Sequence, residues 1–405
     1  MFHSILTQAL LAAVLLLTGE GFPVKWVIPK GENPGFATEG GTPGRAQARA
    51  SYEPVEGTAN DSCWVFHIPV RKLDKKTPLE FDFSILARKG QAERYRAEYY
   101  DGRKWVNLKE FRAYNTESHP ATELTTFILS RPIRIELRVR IRPLPTPEER
   151  ASGRPIRSAG LCHAFFTAAS VQQLPPAVPK DTLRVLILGN SNTYYNFSAS
   201  MLKEIAWSQG RYLDIELSTK GGQTFAQHLG LKRTDELIRK GGYDVAVLQN
   251  NTIPMTTYGL DPEGNRQLMD DCIALVDKIR AFSPGCRIII ERGWSYLAKN
   301  YGGARSREAM DTAVERASRK MAEAVGGEVS PIGNASLTVL KERPDVVIYQ
   351  SDNAHPSMNL SYLKSCVNYL TIFKLSAFEE PVPTCGTGAD LAPWLRSVAV
   401  RAAGR

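Results

Sequence analysis

Apolar residues fall in two different rhythms along this 405-residue chain, and the rhythm changes near residue 175. From Cys63 to about Gln173 the runs are short and either alternating or aromatic: CWVFHIPV, LEFDFSILAR, RYRAEYYDGRKWVNL, TTFILS, IRIELRVRIR and HAFFTAASVQ. Alternation with a period of two puts one side of each segment on a core, which predicts strands. Asp101-Gly102, between a Tyr-rich half and a Trp-containing half, predicts a hairpin, because both residues tolerate the backbone twist that tight turns need. Several strands with no helical period between them predict a β-sandwich.

The joint QQLPPAVPKD interrupts this pattern with prolines that cannot join a ladder. Beyond it, β-like apolar runs at 183–188, 213–217, 244–249, 287–291, near Val329 and at 346–349 alternate with helical periods near 197–209, 225–239, 266–282, 306–325 and 360–375. Strand–helix alternation predicts a parallel sheet with helices on both faces, an α/β fold. The expected organisation is a signal peptide or anchor at 1–20, a flexible lead-in at 21–50 and a β-sandwich at 51–175. A linker at 176–181, an α/β domain at 182–380 and a C-terminal tail at 381–405 complete it.

Composition narrows the function classes. With 43% hydrophobic and 23% charged residues, the chain is ordinary globular protein of a length for two cores. Its net charge of +9 is dispersed, with no basic run beyond short groups such as 72–76, which reads as a solvated basic surface and not as a nucleic-acid footprint. The apolar run at 9–17 is too short to span a bilayer but fits the central region of a secretory signal, so a secreted or periplasmic protein is expected, with membrane attachment only through an uncleaved N-terminal segment. The six cysteines, Cys63, Cys162, Cys272, Cys286, Cys366 and Cys385, have no metal-ligand spacing. Their even number suits disulfides in an oxidising compartment, with Cys63–Cys162 and Cys366–Cys385 as candidate pairs among the 15 connectivities six cysteines permit, and isolated buried thiols as the alternative.

The chemistry gathers at strand ends of the second half. Asn190 and Ser191 follow the first strand, where open α/β sheets place their ligand sites. Lys220-Gly221-Gly222-Gln223 follows the second strand, and Gln249, Asn250 and Asn251 follow the third. The segment YQSDNAHPS, after the last apolar run, holds Asp352 and His355. A serine hydroxyl is a weak nucleophile at neutral pH and needs a base, which an imidazole oriented by a carboxylate supplies. The backbone N–H of Ser191, a glycine N–H and any of the three amides are suitable oxyanion donors.

Gly189-Asn190-Ser191-x-Thr193-Tyr194, Gly222, the amide cluster after DVAVLQ, and Asp352-x-x-His355-Pro356-Ser357 together resemble the SGNH (GDSL-like) hydrolase superfamily, in particular its bacterial GNS-x-T branch. The resemblance covers about half of the chain. It implies a flavodoxin-like three-layer domain and a Ser-His-Asp esterase that needs no metal or other cofactor. Ser191 is then the nucleophile, His355 the base and Asp352 its orienter. Ser191, Gly222 and an amide of Asn250, Asn251 or Gln249 would form the oxyanion hole. The expected substrate is an acylated carbohydrate or small ester, most simply an O-acetyl sugar. The β-rich half is similar to galactose-binding-like jelly rolls, in which Tyr99, Tyr100 and Trp105 either stack on sugar or fill the core. Asn192, where that branch has a large apolar residue, points to the alternative: a catalytically inactive carbohydrate-binding or surface protein.

Overall fold

The computed structural model describes residues 24–27, 37–39, 49–54, 62–70, 72–86, 92–113, 121–144, 151, 165–174, 181–297 and 301–404. The chain divides into two compact units, 1–176 and 177–405.

The first unit is antiparallel β. Its strands are β1 (Val24–Val27), β2 (Ala37–Glu39), β3 (Arg49–Pro54), β4 (Ser62–Pro69), β5 (Pro78–Leu86), β6 (Arg94–Tyr100), β7 (Trp105–Arg112), β8 (Ala121–Ile128), β9 (Glu136–Pro143) and β10 (Phe165–Gln173). They form two five-stranded sheets, ordered β2-β1-β10-β5-β8 and β3-β4-β9-β6-β7. Phe81, Phe83 and Ile85 of β5 meet Tyr95, Ala97 and Tyr99 of β6, with Phe66, Phe111 and Val139, in one buried cluster. Every second residue faces inward, as the pleat requires. At the β6–β7 hairpin Gly102 takes φ +91°. The Asp101 carboxylate accepts the Lys104 and Arg103 N–H groups, and these bonds hold its pKa below the usual range.

Two expectations change here. Part of the proposed lead-in is paired backbone: β1 runs against β10 and β2 against β1. A ladder needs only N–H and C=O groups, so poor apolar composition did not prevent it. Tyr99 belongs to the core, whereas Tyr100 and Trp105 lie under the guanidinium groups of Arg138 and Arg140, each about 4 Å from a ring centroid. A guanidinium therefore covers one face of each ring. Cys162, and with it the Cys63–Cys162 pairing, and the segment at 1–20 lie outside the described residues.

The second unit is a parallel sheet of β11 (Asp181–Gly189), β12 (Arg211–Thr219), β13 (Val245–Leu248), β14 (Arg287–Glu291) and β15 (Glu328–Ser330). The order β12-β11-β13-β14-β15 is the flavodoxin-like 2-1-3-4-5 arrangement. Its helices are α1 (Ser191–Tyr194), α2 (Ser198–Ser208), α3 (Phe225–Gly230), α4 (Lys232–Lys240), α5 (Thr252–Leu260), α6 (Gln267–Phe282), α7 (Arg307–Ala324), α8 (Ile332–Glu342), α9 (Met358–Phe373) and α10 (Ala392–Ala403). Leu186, Leu188, Ala246, Leu248, Ile288 and Ile290 turn toward the cluster built with α3, α4, α6 and α7. Helices α2 and α9 pack together, and α10 packs against α8 and α9. The sheet is thus the middle of three layers. Among the described residues no helix is long and apolar enough to cross a membrane.

The helix expected over 225–239 is two, because Leu231 is extended (φ −79°, ψ 129°). The apolar run at 346–349 makes no strand: only Tyr349 forms a bridge, to Pro356. Residues 381–405 are not merely a tail, since Leu395, Val398 and Ala399 of α10 are buried at helical spacing. Cys366 is a wholly buried free thiol, so the Cys366–Cys385 bridge is not formed. Burial pushes the Cys366 thiol up to about 12.

Candidate active site

The strand order reverses between β11 and β13, and ligands of open α/β sheets bind at such a switch point. Gly189 ends β11. A Cβ there would lie 2.3 Å from Thr193 Oγ1 and 2.9 Å from Gln249 Oε1, so the turn closes only on glycine. Asn190 is extended and caps α1: its Oδ1 accepts the Asn192 N–H at 3.1 Å, and its Nδ2 donates to the Gln223 carbonyl at 3.0 Å. Gln249 Oε1 accepts both the Asn190 N–H at 2.9 Å and the Thr193 hydroxyl at 3.0 Å. Ser191 is the first residue of α1, 8% exposed.

Opposite stands the loop before α9. The Ser191 hydroxyl donates to His355 Nε2 at 2.8 Å, and His355 Nδ1–H donates to Asp352 Oδ2 at 2.5 Å. This is the tautomer in which Nε2 can take the serine proton. Asp352 Oδ1 accepts the N–H groups of Ala354 and His355 at 3.0 and 2.9 Å. Partial desolvation pushes the Asp352 carboxyl up, but the His355 ring bond and these two N–H bonds outweigh it and hold the pKa at about 2. The loop is pinned in turn: Trp294 Nε1 donates to the Ala354 carbonyl at 2.9 Å, and the Leu297 N–H to that of Asn353 at 2.9 Å.

Tyr195 carries no motif signal, yet its ring stacks on the His355 imidazole, centroids 4.5 Å apart and planes 15° off parallel. The two residues after it, Asn196 and Phe197, both have φ +54°, a left-handed backbone costing non-glycine residues roughly 1–2 kcal/mol each. The Asn196 amide donates to the Pro356 carbonyl and the Ser361 hydroxyl, both at 2.9 Å, which ties this bend to the histidine loop. Asn192 is buried, with its side chain beside the Tyr296 hydroxyl.

The adjacent amides after β13 separate cleanly. Gln249 Nε2 donates to the Asn250 carbonyl. Asn251 caps α5, its Oδ1 accepting the Ile253 N–H at 3.0 Å, and its Nδ2 donates to the Gly222 carbonyl at 3.2 Å. Asn250 Oδ1 accepts the Phe225 N–H at 2.9 Å. Its Nδ2 is buried and has no hydrogen-bond partner among the described residues. A buried amide donor left unpaired costs about 1–3 kcal/mol unless a ligand claims it. Gly222 has φ +72°, and a Cβ there would meet nothing; conformation, not space, calls for glycine.

His228, which helical position alone places on the surface, is fully buried on α3. One ring nitrogen, Nε2, lies 3.1 Å from the Gly189 carbonyl, and the other, Nδ1, lies 3.0 Å from Thr234 Oγ1. Burial lowers its pKa to about 4, against the opposing bond to Gly189. The unfolded imidazole titrates near 6.5, so between pH about 6.5 and about 4 the unfolded chain binds the proton that the folded chain refuses. Stability is therefore full above this window and falls on acidification through it. Denaturant midpoints measured from pH 7 to pH 4 should decline, and His228→Gln should flatten that decline; an unchanged slope would contradict this role.

A parallel sheet in this order, with these loops gathered at its switch point, is a flavodoxin-like α/β arrangement. No family model matches the chain, and no curated protein does. Among solved structures it is similar to a DUF4886 family protein from Bacteroides uniformis, with 18% identity over 55% of this chain and 93% of that one, TM-score 0.44. It is also similar to an acetyl xylan esterase, with 15% identity over 47% and 100% of the two chains, TM-score 0.38. A catalytic mutant of an acetylxylan esterase from Geobacillus stearothermophilus matches with 15% identity over 50% and 96%, TM-score 0.35.

Proposed function

We propose that the protein is a secreted or periplasmic serine esterase that removes O-acetyl groups from a carbohydrate. The observation that carries the esterase reading is the unbroken chain Ser191 Oγ–His355 Nε2 at 2.8 Å and His355 Nδ1–Asp352 Oδ2 at 2.5 Å. Ser191 Oγ attacks the acyl carbon while His355 Nε2 takes its proton, and Asp352 stabilises the resulting imidazolium. The carbonyl π electrons move to oxygen, and the oxyanion is met by the Ser191 N–H, the Gly222 N–H and Asn250 Nδ2. Collapse breaks the bond to the sugar oxygen, which leaves with the proton from His355. Water then attacks the acetyl-serine by the same route, releasing acetate and restoring Ser191.

The sugar and the acetyl group rest on the motif resemblance, and export rests on the apolar run at 9–17. An inactive surface protein is disfavoured by the unbroken Ser191–His355–Asp352 hydrogen-bond chain, all three members being present and in reach of one another.

Acetate release from a panel of acetylated polysaccharides, beside hydrolysis of an aryl acetate, tests the proposal. Release from at least one polysaccharide is expected. Aryl ester turnover without any polysaccharide release would overturn the carbohydrate assignment, and no turnover on either would overturn the esterase.

Asn250→Ala should lower kcat on the aryl acetate by about 10²–10³, the usual effect of deleting one oxyanion donor. Asn251→Ala removes a cap and should cost stability, about 1 kcal/mol, with turnover largely kept. The reverse ranking in kcat would move the donor to Asn251.

A further inference from the structure

Buried within the same unit is an ion pair with no part in the chemistry above. Lys364 of α9 and Glu291 at the end of β14 are each 2% exposed and meet at 2.7 Å. Lys364 Nζ also donates to the Asn192 carbonyl at 3.1 Å and to Thr193 Oγ1 at 3.4 Å. Its three N–H groups thus have three acceptors. The other oxygen of Glu291 accepts Asn368 Nδ2 at 2.7 Å, and Asn368 Oδ1 accepts the Ser330 hydroxyl at 2.7 Å.

Stability alone does not account for such a pair. Removing two charges from water costs several kcal/mol per ion, and apolar residues of similar volume often serve as well or better. Its position is the informative feature. The ammonium ends on the residue after Ser191 and on the one beyond it. The Thr193 hydroxyl that accepts from Lys364 donates to Gln249, which accepts the Asn190 N–H. Ser191 is therefore held from both neighbours. Helix α9, which carries Lys364, starts at Met358, three residues after His355, and is capped by Ser357.

We propose that Lys364, with Glu291 as its buried counter-ion, is a positioning residue that sets the Ser191–His355 distance by locking the nucleophile turn onto the helix that follows the base. This rests on the serine esterase reading. Ser191 must sit within about 3 Å of the base for proton transfer, and a misplacement of 1 Å is enough to cost about 10² in rate.

The test replaces both charges at once, Glu291→Gln with Lys364→Met, so that no buried charge is left alone. Thr193→Val, which removes the relay hydroxyl without uncovering a charge, is the second variant and carries the test if the first fails to fold. Each folded variant is compared with wild type in kcat and KM on an aryl acetate, and in the rate at which a serine-reactive phosphonate labels Ser191, well below its melting temperature. A fall in kcat and labelling rate of about 10² for the charge pair, smaller for Thr193→Val, with KM retained, is expected. A merely structural role would shift melting and leave both rates of the folded enzyme alone. Unchanged rates in a folded variant, while wild type turns over and labels, overturn this inference only. A wild type that neither hydrolyses nor labels overturns the esterase reading, and this inference with it.

Discussion

Ser191→Ala is expected to abolish ester hydrolysis, with kcat falling on the order of 10⁴- to 10⁶-fold, the range in which loss of a serine nucleophile is felt, while the fold survives. The separation of the two effects comes from how the turn is built. The hydroxyl of Ser191 bonds to His355, whereas α1 is held by the Asn190 cap, by Gln249 and by Lys364. None of these involves the serine side chain. Melting and circular dichroism of the variant should match wild type. Full activity of Ser191→Ala on an acetyl ester would mean another nucleophile.

Asp352→Asn is the second large effect, a fall in kcat of about 10⁴ with KM little changed. The loop N–H groups of Ala354 and His355 claim one oxygen of residue 352. An Asn that keeps those bonds turns its NH₂ toward His355 Nδ1. The imidazole must then accept at Nδ1 and carry its proton on Nε2, where it can no longer take the proton of Ser191. Because the Asp352 pKa is held at about 2, the carboxylate stays ionised down to about pH 3. Its contribution to stability is present above the unfolded value and is lost only as pH falls toward 2. Any loss of wild-type turnover between pH 6 and 4 therefore belongs to other groups. Asp352→Asn keeping more than a tenth of wild-type kcat would contradict the orienting role.

How far the site was legible follows from what each residue does locally. Ser191, Asp352 and His355 sit at strand or loop ends and are residue types that one reaction needs together, so position and chemistry coincide. Asn250 and Asn251 were inseparable as letters. What divides them is the start of α5, which takes Asn251 as its cap and leaves Asn250 Nδ2 buried with no partner among the described residues. Tyr195 has no spacing signal, since stacking on His355 depends on a left-handed bend at Asn196 and Phe197 that no residue type demands. Lys364 reads as an ordinary helix lysine until Glu291, 73 residues earlier, is seen beside it.

The sheet shows the same limit. Buried central strands such as Val245–Leu248 announce themselves as apolar runs. The run at 346–349 looks alike and fails as a strand because only Tyr349 finds a ladder partner. Helix α8 carries little sequence signal: it begins after a proline and holds Gly333 and the β-branched Thr338 and Val339, poor helix formers that packing overrides.

The central claim is that Ser191 is an activated nucleophile, and covalent capture tests it most directly. Purified protein is treated with a serine-reactive phosphonate and mapped by peptide mass. One adduct, on the peptide at Ser191, absent in Ser191→Ala and slow to form in Asp352→Asn, is the predicted result. An adduct on another residue, or none at Ser191 in a preparation that hydrolyses acetyl esters, would contradict it.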